Sequence, residues 1–257
     1  MIYVTVPGDT VSSISRQSGV PVWKIIYDNQ LGEEGELTVG QALLLLKPQE
    51  SAEIREDLYV TGYAYPFIEP YVLEMAFPAL NELLVFSYGF TFEGELVPPI
   101  QDETWMIQLA WENGIEPMLV LTPFTQGVFN NQLIQTLVEE ESVRENVITN
   151  LLKVVEEKGY VGVDVDFEYV RAQNREGYAE FVGELRAAMN EKGYRVSVAL
   201  APKTSSDQKG LLYEGIDYAL LGEQADRLFL MTYEWGYSYG PPMAVAPLTK
   251  VRQVVEY

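Results

Sequence analysis

Histidine and cysteine are both absent from this chain of 257 residues. Without cysteine there is no disulfide framework, no zinc-thiolate site and no thiol nucleophile. Without histidine there is no Ser-His-Asp triad, no HExxH metal site and no imidazole proton shuttle. Basic residues are scarce: 17 Lys and Arg stand against 38 Asp and Glu, a net charge of −21. So acidic a chain offers no basic face to phosphates, which argues against a nucleic-acid partner. No hydrophobic run reaches the roughly 18 residues of a membrane span. The first residues, Met1 to Pro7, lack the charged and apolar regions of a signal peptide. An enzyme built from what remains, working near neutral pH, takes its acid or base from a carboxylate, Tyr or Lys.

The first fifty or so residues form a small patterned unit. Residues 2–6 read as a strand. Pro7, Gly8, Asp9 and Thr10 supply turn chemistry, with Asp9 or Thr10 placed to cap a helix. Val11 and Ile14 mark that helix, and Gly19 ends it. Pro21 suits the first turn of a second helix carrying Val22, Ile25 and Ile26. Gly40 precedes a second strand at 42–46. The expected order is strand, helix, helix, strand.

This stretch resembles the LysM module, through Tyr3, Pro7-Gly8-Asp9-Thr10, Ile14, Asp28-Asn29-Gln30-Leu31 and Leu37-Thr38-Val39-Gly40. The resemblance implies a small α+β fold that binds peptidoglycan or chitin. It implies a groove lined by Gly8, Asp9 and Thr10 on one side and Asn29, Gln30 and Leu31 on the other. Gly8 and Asp9 also suit a turn and cap alone. The module is expected over residues 1–48, with a polar, charge-rich linker at 49–57.

The rest, 58–257, alternates strand and helix. Strands are expected at 58–65, 83–90, 117–123, 162–169, 195–202 and 227–234. Helices include 104–112, 142–158, 175–191 and 249–257. Repeated β-then-α order predicts a parallel sheet, either a (β/α) barrel or a doubly wound sheet. No Gly-rich phosphate loop follows a strand, so a nucleotide fold has no support.

The informative segment is 162–169, Gly-Val-Asp-Val-Asp-Phe-Glu-Tyr. Alternate residues of a strand share a face. Val163, Val165 and Phe167 therefore point one way, and Asp164, Asp166 and Glu168 the other. A strand covered by helices is normally apolar on both faces. Three like charges on the interior face are costly, and at least one should titrate upward. A chemical role explains them better than stability does. Two other readings stay open at this point: a solvated edge strand, and a Ca²⁺ or Mg²⁺ site, although the EF-hand pattern fails.

The segment resembles the DxxDxDxE signature of glycoside hydrolase family 18, with Val161 in place of the first Asp. Met231-Thr232-Tyr233-Glu234 resembles that family's Met-x-Tyr-Asp motif, and Phe86-Ser87-Tyr88-Gly89 is a weaker match to its SxGG motif. With the aromatics around Tyr63, Tyr65 and 237–242, the chain resembles the spore-associated branch, which joins LysM modules to a barrel and acts on spore cortex peptidoglycan. The resemblance implies a (β/α)8 TIM barrel and a retaining, substrate-assisted glycosidase cutting β-1,4 bonds after N-acetylglucosamine. It makes Glu168 the acid, then the base. Asp166 orients the substrate acetamide, Asp164 stands behind it, and Tyr233 donates to the acetamide oxygen. Tyr63, Tyr65, Met231, Glu234 and Trp235 are expected to contact substrate. The resemblance implies no metal and no cofactor. Its alternatives are a chitinase and a non-catalytic glycan-binding protein. The expected location is the spore or cell wall.

Six strands are counted where such a barrel has eight, and fewer residues follow Asp57 than the roughly 250 it uses. The expectation is an incomplete barrel of six βα units, cut short at its C-terminus, with the first and sixth strands as edges.

Overall fold

The computed structural model of the protein describes residues 1–32, 35–46, 58–125, 128–236, 239–241 and 243–257. The expected linker at 49–57 lies outside them. The chain divides into two units: Met1–Leu58 with Thr232–Val255, and Tyr59–Met231 with Glu256–Tyr257.

In the first unit, β1 (Ile2–Val4) and β2 (Ala42–Leu44) pair antiparallel around α1 (Val11–Ser18) and α2 (Val22–Asp28). The order is the expected one. Thr10 starts α1 with a reciprocal cap: its hydroxyl accepts from the Ser13 amide, and the Ser13 hydroxyl accepts from the Thr10 amide, each at 3.0 Å. Gly19 ends the helix at φ 74°, a left-handed turn that glycine adopts without steric cost. Val11, Ile14, Val20, Ile25, Leu43 and Leu45 form this unit's own core.

The second unit repeats strand and helix. Its elements are β3 (Thr61–Ala64), α3 (Pro70–Ala76), β4 (Glu82–Phe90), β5 (Leu96–Val97), α4 (Thr104–Glu112), β6 (Glu116–Leu121), β7 (Phe124–Thr125), β8 (Val128–Phe129), α5 (Asn131–Glu139), α6 (Glu141–Lys158), β9 (Gly162–Val165), α7 (Arg175–Glu191), β10 (Arg195–Leu200), α8 (Tyr218–Gln224) and β11 (Arg227–Leu230). Among the described residues, six strands run parallel in the order β3-β4-β6-β9-β10-β11. The first and sixth end the ladder, as expected. Helix α9 (Leu248–Glu256) follows, almost wholly in the first unit.

The inner strands β4, β6, β9 and β10 bury both faces, because their side chains alternate between two packed layers, while the end strands β3 and β11 are only half-buried. Leu83, Val85, Leu119, Leu121, Val163 and Val165 meet the helices, among them Val147, Leu151 and Val155 of α6 and Phe181 and Leu185 of α7. Leu84, Met118 and Val120 face the other way and form an inner cluster with Tyr63, Phe86 and Val161. The sheet curls, as a half-barrel does: the rings of Tyr63 on β3 and Phe229 on β11 pack edge to face, with centroids 5.4 Å apart.

Charges hold the curl at the strand starts. Buried Glu82, first residue of β4, accepts from Arg195 at 3.0 Å and Arg227 at 3.4 Å. Arg195 also meets Glu116 at 2.6 Å, and the Arg227 guanidinium lies 4.3 Å from the Tyr59 ring.

Several strands are shorter than the sequence suggests, and the ladder explains why. The fourth, expected to reach Tyr169, stops at Val165, opposite Leu121, the last residue of β6. The sixth stops at Leu230, opposite Leu200, the last of β10, rather than at Glu234. The first begins at Thr61 rather than Leu58, where β4 begins beside it at Glu82. Without a neighbour to bond, an alternating sequence does not continue as strand.

Candidate active site

Strand β9 carries the acids into the interior. Asp164 is fully buried and Asp166 is 7% exposed. The Asp166 amide donates to the Leu121 carbonyl at 2.9 Å, one step beyond the ladder. The chain then leaves the sheet, with Tyr169 at φ 60°. Phe167 and Val170 fix this turn from behind. Phe167 stacks on Tyr178 at 5.4 Å and Phe90 at 5.8 Å, and Val170 is 1% exposed. Half-buried Glu168 lies between these two anchors.

Two neutral hydroxyls meet Asp164. Tyr63 donates to Oδ2 at 2.7 Å, and Ser197 of β10 donates to Oδ1. Both bonds favour the carboxylate, yet burial outweighs them and raises the Asp164 pKa, with the Glu82 charge adding to the rise. Asp166 is pushed up to about 7, first by burial and then by the charges of Asp164 and Glu168. Its Oδ1 is buried and has no partner among the described residues. A carboxyl group that titrates near neutral pH can stay charged or hold a proton as a neighbour demands.

Below the acids, a cavity of about 340 Å³ is lined by Thr61, Glu82, Leu84, Asp164, Ser197 and Phe229, among others. A larger groove of about 770 Å³ takes in Tyr65, Phe67, Phe86, Phe90, Phe92 and Phe124. Tyr65 is 49% exposed and stacks on Phe67 at 4.9 Å. Stacked, exposed rings of this kind suit the apolar faces of sugars.

The expected residues fall into three groups. Tyr63, Asp164 and Asp166 come together in the interior, where the Tyr63 hydroxyl donates to Asp164. Met231 closes β11, its amide donating to the Leu200 carbonyl at 3.0 Å. Tyr233, Glu234 and Trp235 lie in the first unit. There Glu234 takes φ 57°, and the Trp235 indole donates to the Thr232 carbonyl at 3.1 Å. Tyr237 lies outside the described residues.

In the LysM-like part, the polar side chains make internal bonds. Asp9 accepts from the Tyr3 hydroxyl at 2.9 Å and the Val6 amide at 2.7 Å. Asn29 donates to the carbonyls of Ile25 and Leu44, each at 2.9 Å, and accepts from the Leu44 amide at 2.6 Å. Gly8 and Gln30 adopt positive φ, 92° and 50°, and Leu31 packs on the core. Asp9, Thr10 and Asn29 thus shape the turns that display their neighbours.

Sequence reasoning missed Ser197 and Glu82. Ser197 is one small polar residue in an alternating strand, with no spacing to mark it. Glu82 had a signal: a carboxylate opening an apolar strand.

A row of acids running from a central strand of a curled, helix-covered parallel sheet into the turn beyond it is the arrangement expected of a barrel hydrolase. The chain belongs to the glycosyl hydrolases family 18, whose family model matches residues 127–256; the LysM domain model matches residues 3–45. The "Cortical fragment-lytic enzyme" of Bacillus subtilis (strain 168) is 38% identical over 183 residues, covering 71% of this chain and 42% of that protein. The solved spore cortex-lytic enzyme SleL of Bacillus cereus aligns over all of this chain and 59% of its own, with TM-score 0.74 and 31% identity. A chitinase of Chromobacterium violaceum shares the fold at TM-score 0.71 and 21% identity, over 78% of this chain and 64% of its own. The chain therefore spans about half the length of the relatives it matches.

Proposed function

We propose that this chain is the LysM-bearing part of a glycosidase that hydrolyses β-1,4 bonds after N-acetylglucosamine in peptidoglycan, the spore cortex above all. The observation that carries this reading is the row Asp164, Asp166 and Glu168 at the end of β9, in a chain related to enzymes named for cortex lysis. Residues 1–48 hold the glycan through the turns around Gly8–Thr10 and Asn29–Leu31. Residues 49–57 link them to the catalytic residues 58–257. Such a protein works at the spore or cell wall.

The mechanism is retaining and substrate-assisted. Glu168 gives its proton to the leaving glycosidic oxygen. The substrate's acetamide oxygen attacks the anomeric carbon from the other side and forms an oxazolinium ion. Asp166 accepts the acetamide N–H and stabilises the positive charge. Asp164, held by Tyr63 and Ser197, modulates Asp166 from behind. Tyr233 donates to the acetamide oxygen. Glu168 then takes a proton from water, which opens the ring. Tyr65, Met231, Glu234 and Trp235 contact the sugars.

Chitin is the competing substrate. The test compares release of reducing ends from cortex muropeptides and from chitin oligomers. Faster turnover of muropeptides supports the proposal. Preference for chitin oligomers replaces it with a chitinase, and glycan binding without turnover of either replaces it with a lectin.

A further inference from the structure

The acid row leaves one question open: Glu168 lies three residues beyond the last rung of β9, so the ladder does not hold it. On one side the turn is fixed by Phe167 and Val170 in the core. Arg171 also reaches α5, donating to Gln135 at 2.8 Å and Asn131 at 3.0 Å. On another side stands the loop between β10 and α8.

That loop comes against the turn at Gly215. A Cβ on buried Gly215 would lie 2.1 Å from the Val170 carbonyl oxygen and 2.8 Å from that of Arg171. Both are backbone atoms, so a larger residue displaces the peptide two positions beyond Glu168. Gly215 carries no positive φ, so close approach, not conformation, is what calls for glycine there.

The loop is itself tied down from inside. Lys203 is 3% exposed, and its ammonium donates to the Ile216 carbonyl at 2.6 Å. Among the described residues, the charge forms no ion pair within reach; carbonyl oxygens satisfy it. The Tyr218 hydroxyl donates to the Ala201 carbonyl at 2.7 Å and accepts from the Lys203 amide at 2.8 Å. Burial opposes the ammonium's charge, and Asp217 and Asp207 favour it only through space, without a direct bond. The lysine fixes the residue next to Gly215.

We propose that Gly215 and Lys203, in the loop between β10 and α8, position the acid-bearing turn: Gly215 sets the Val170 peptide, and with it Glu168, while Lys203 keeps Gly215 in register. Neither residue touches the reacting atoms. The inference rests on Glu168 as the acid, and it predicts effects on turnover rather than on sugar binding. Misplacing a catalytic group by about 1 Å costs on the order of 100-fold.

The experiment uses the whole protein with G215A, K203M and the surface control K209A, each assayed on a fluorogenic diacetylchitobioside. Amide NMR shifts of Glu168, Tyr169 and Val170 are recorded alongside. G215A is expected to move those shifts and to lower kcat by about 10- to 100-fold with KM within about 2-fold. K203M should do the same more mildly, and K209A should match the parent. K203M leaves Gly215 intact and decides the matter if G215A does not fold. Unchanged shifts, unchanged kcat, or a loss confined to KM would each overturn the proposal. E168Q separates the two readings: if it turns over like the parent, Glu168 is not the acid, and the amide shifts alone then decide whether Gly215 places the turn.

Discussion

The Tyr63 hydroxyl donates to Asp164 at 2.7 Å, joining the first parallel strand to the fourth across the interior of the curl. Ser197 donates to the same carboxyl group from the fifth. The innermost acid is thus held by two neutral donors and no cation, among the bonds described. That arrangement fixes its place without an opposite charge, and Asp164 is one of the groups that raise the Asp166 pKa.

Y63F should remove one of these donors and leave a buried carboxylate short of a partner. The expected cost is about 1–3 kcal/mol. Loss of a donor to the charged form also raises the Asp164 pKa further. Urea denaturation of the variant and the parent checks the first effect, and carboxyl NMR titration the second. Equal midpoints would show that the hydroxyl contributes nothing there.

E168Q should lower hydrolysis by roughly 10²–10⁴-fold, the usual worth of a general acid, and leave glycan binding in place. Reducing-end release and sedimentation with insoluble peptidoglycan measure the two separately. Turnover within about tenfold of the parent would remove Glu168 from the role.

D166N should become relatively more stable as pH rises. Asp166 titrates at about 7 in the folded chain, against 3.8 for an ordinary aspartate. Between those values the folded state holds a proton that the unfolded state has released. Stability therefore falls as pH rises through that window and levels off above it. The full effect is on the order of 4 kcal/mol at most. Asn does not ionise, so the gap between variant and parent should shift in the variant's favour from pH 5 to pH 8. Identical pH slopes in urea titrations would contradict this.

N29A should unlatch α2 from β2, since that side chain makes two bonds to Leu44 of β2 and a third back to Ile25 of α2. A loss of about 1–3 kcal/mol from the first unit is expected. Binding to peptidoglycan should fall in step with the folded fraction. A variant that stays folded but no longer binds would make Asn29 a contact residue instead.

Regular structure was legible wherever one period ran uninterrupted. Thr104–Glu112 and Arg175–Glu191 are the helices that their apolar spacing predicts, and α6 begins one residue earlier than read. The opposed faces of Val163 and Asp164 followed from alternation alone. What the spacing does not carry is the end of a strand, because that depends on how far the neighbour runs. Nor does it carry the partners of Asp164. Tyr63 is 101 positions away in sequence, and Ser197 bears no mark of its role. Val161 stands where the family signature has its first acid, and its surroundings are apolar: it packs on Leu84, Met118 and Val120.

The charge cluster at the strand starts also bears on the order of events in time. Glu82 and Arg227 stand 145 positions apart in sequence, and every strand between them must be laid down before they meet. Contacts so distant in sequence cost loop-closure entropy before they repay it, so this one is expected to form late on the path to the native state. A contact absent from the transition state acts on the way out rather than on the way in. The cluster is therefore a brake on unfolding: R227M should shorten the lifetime of the folded sheet in denaturant jumps while refolding keeps its pace.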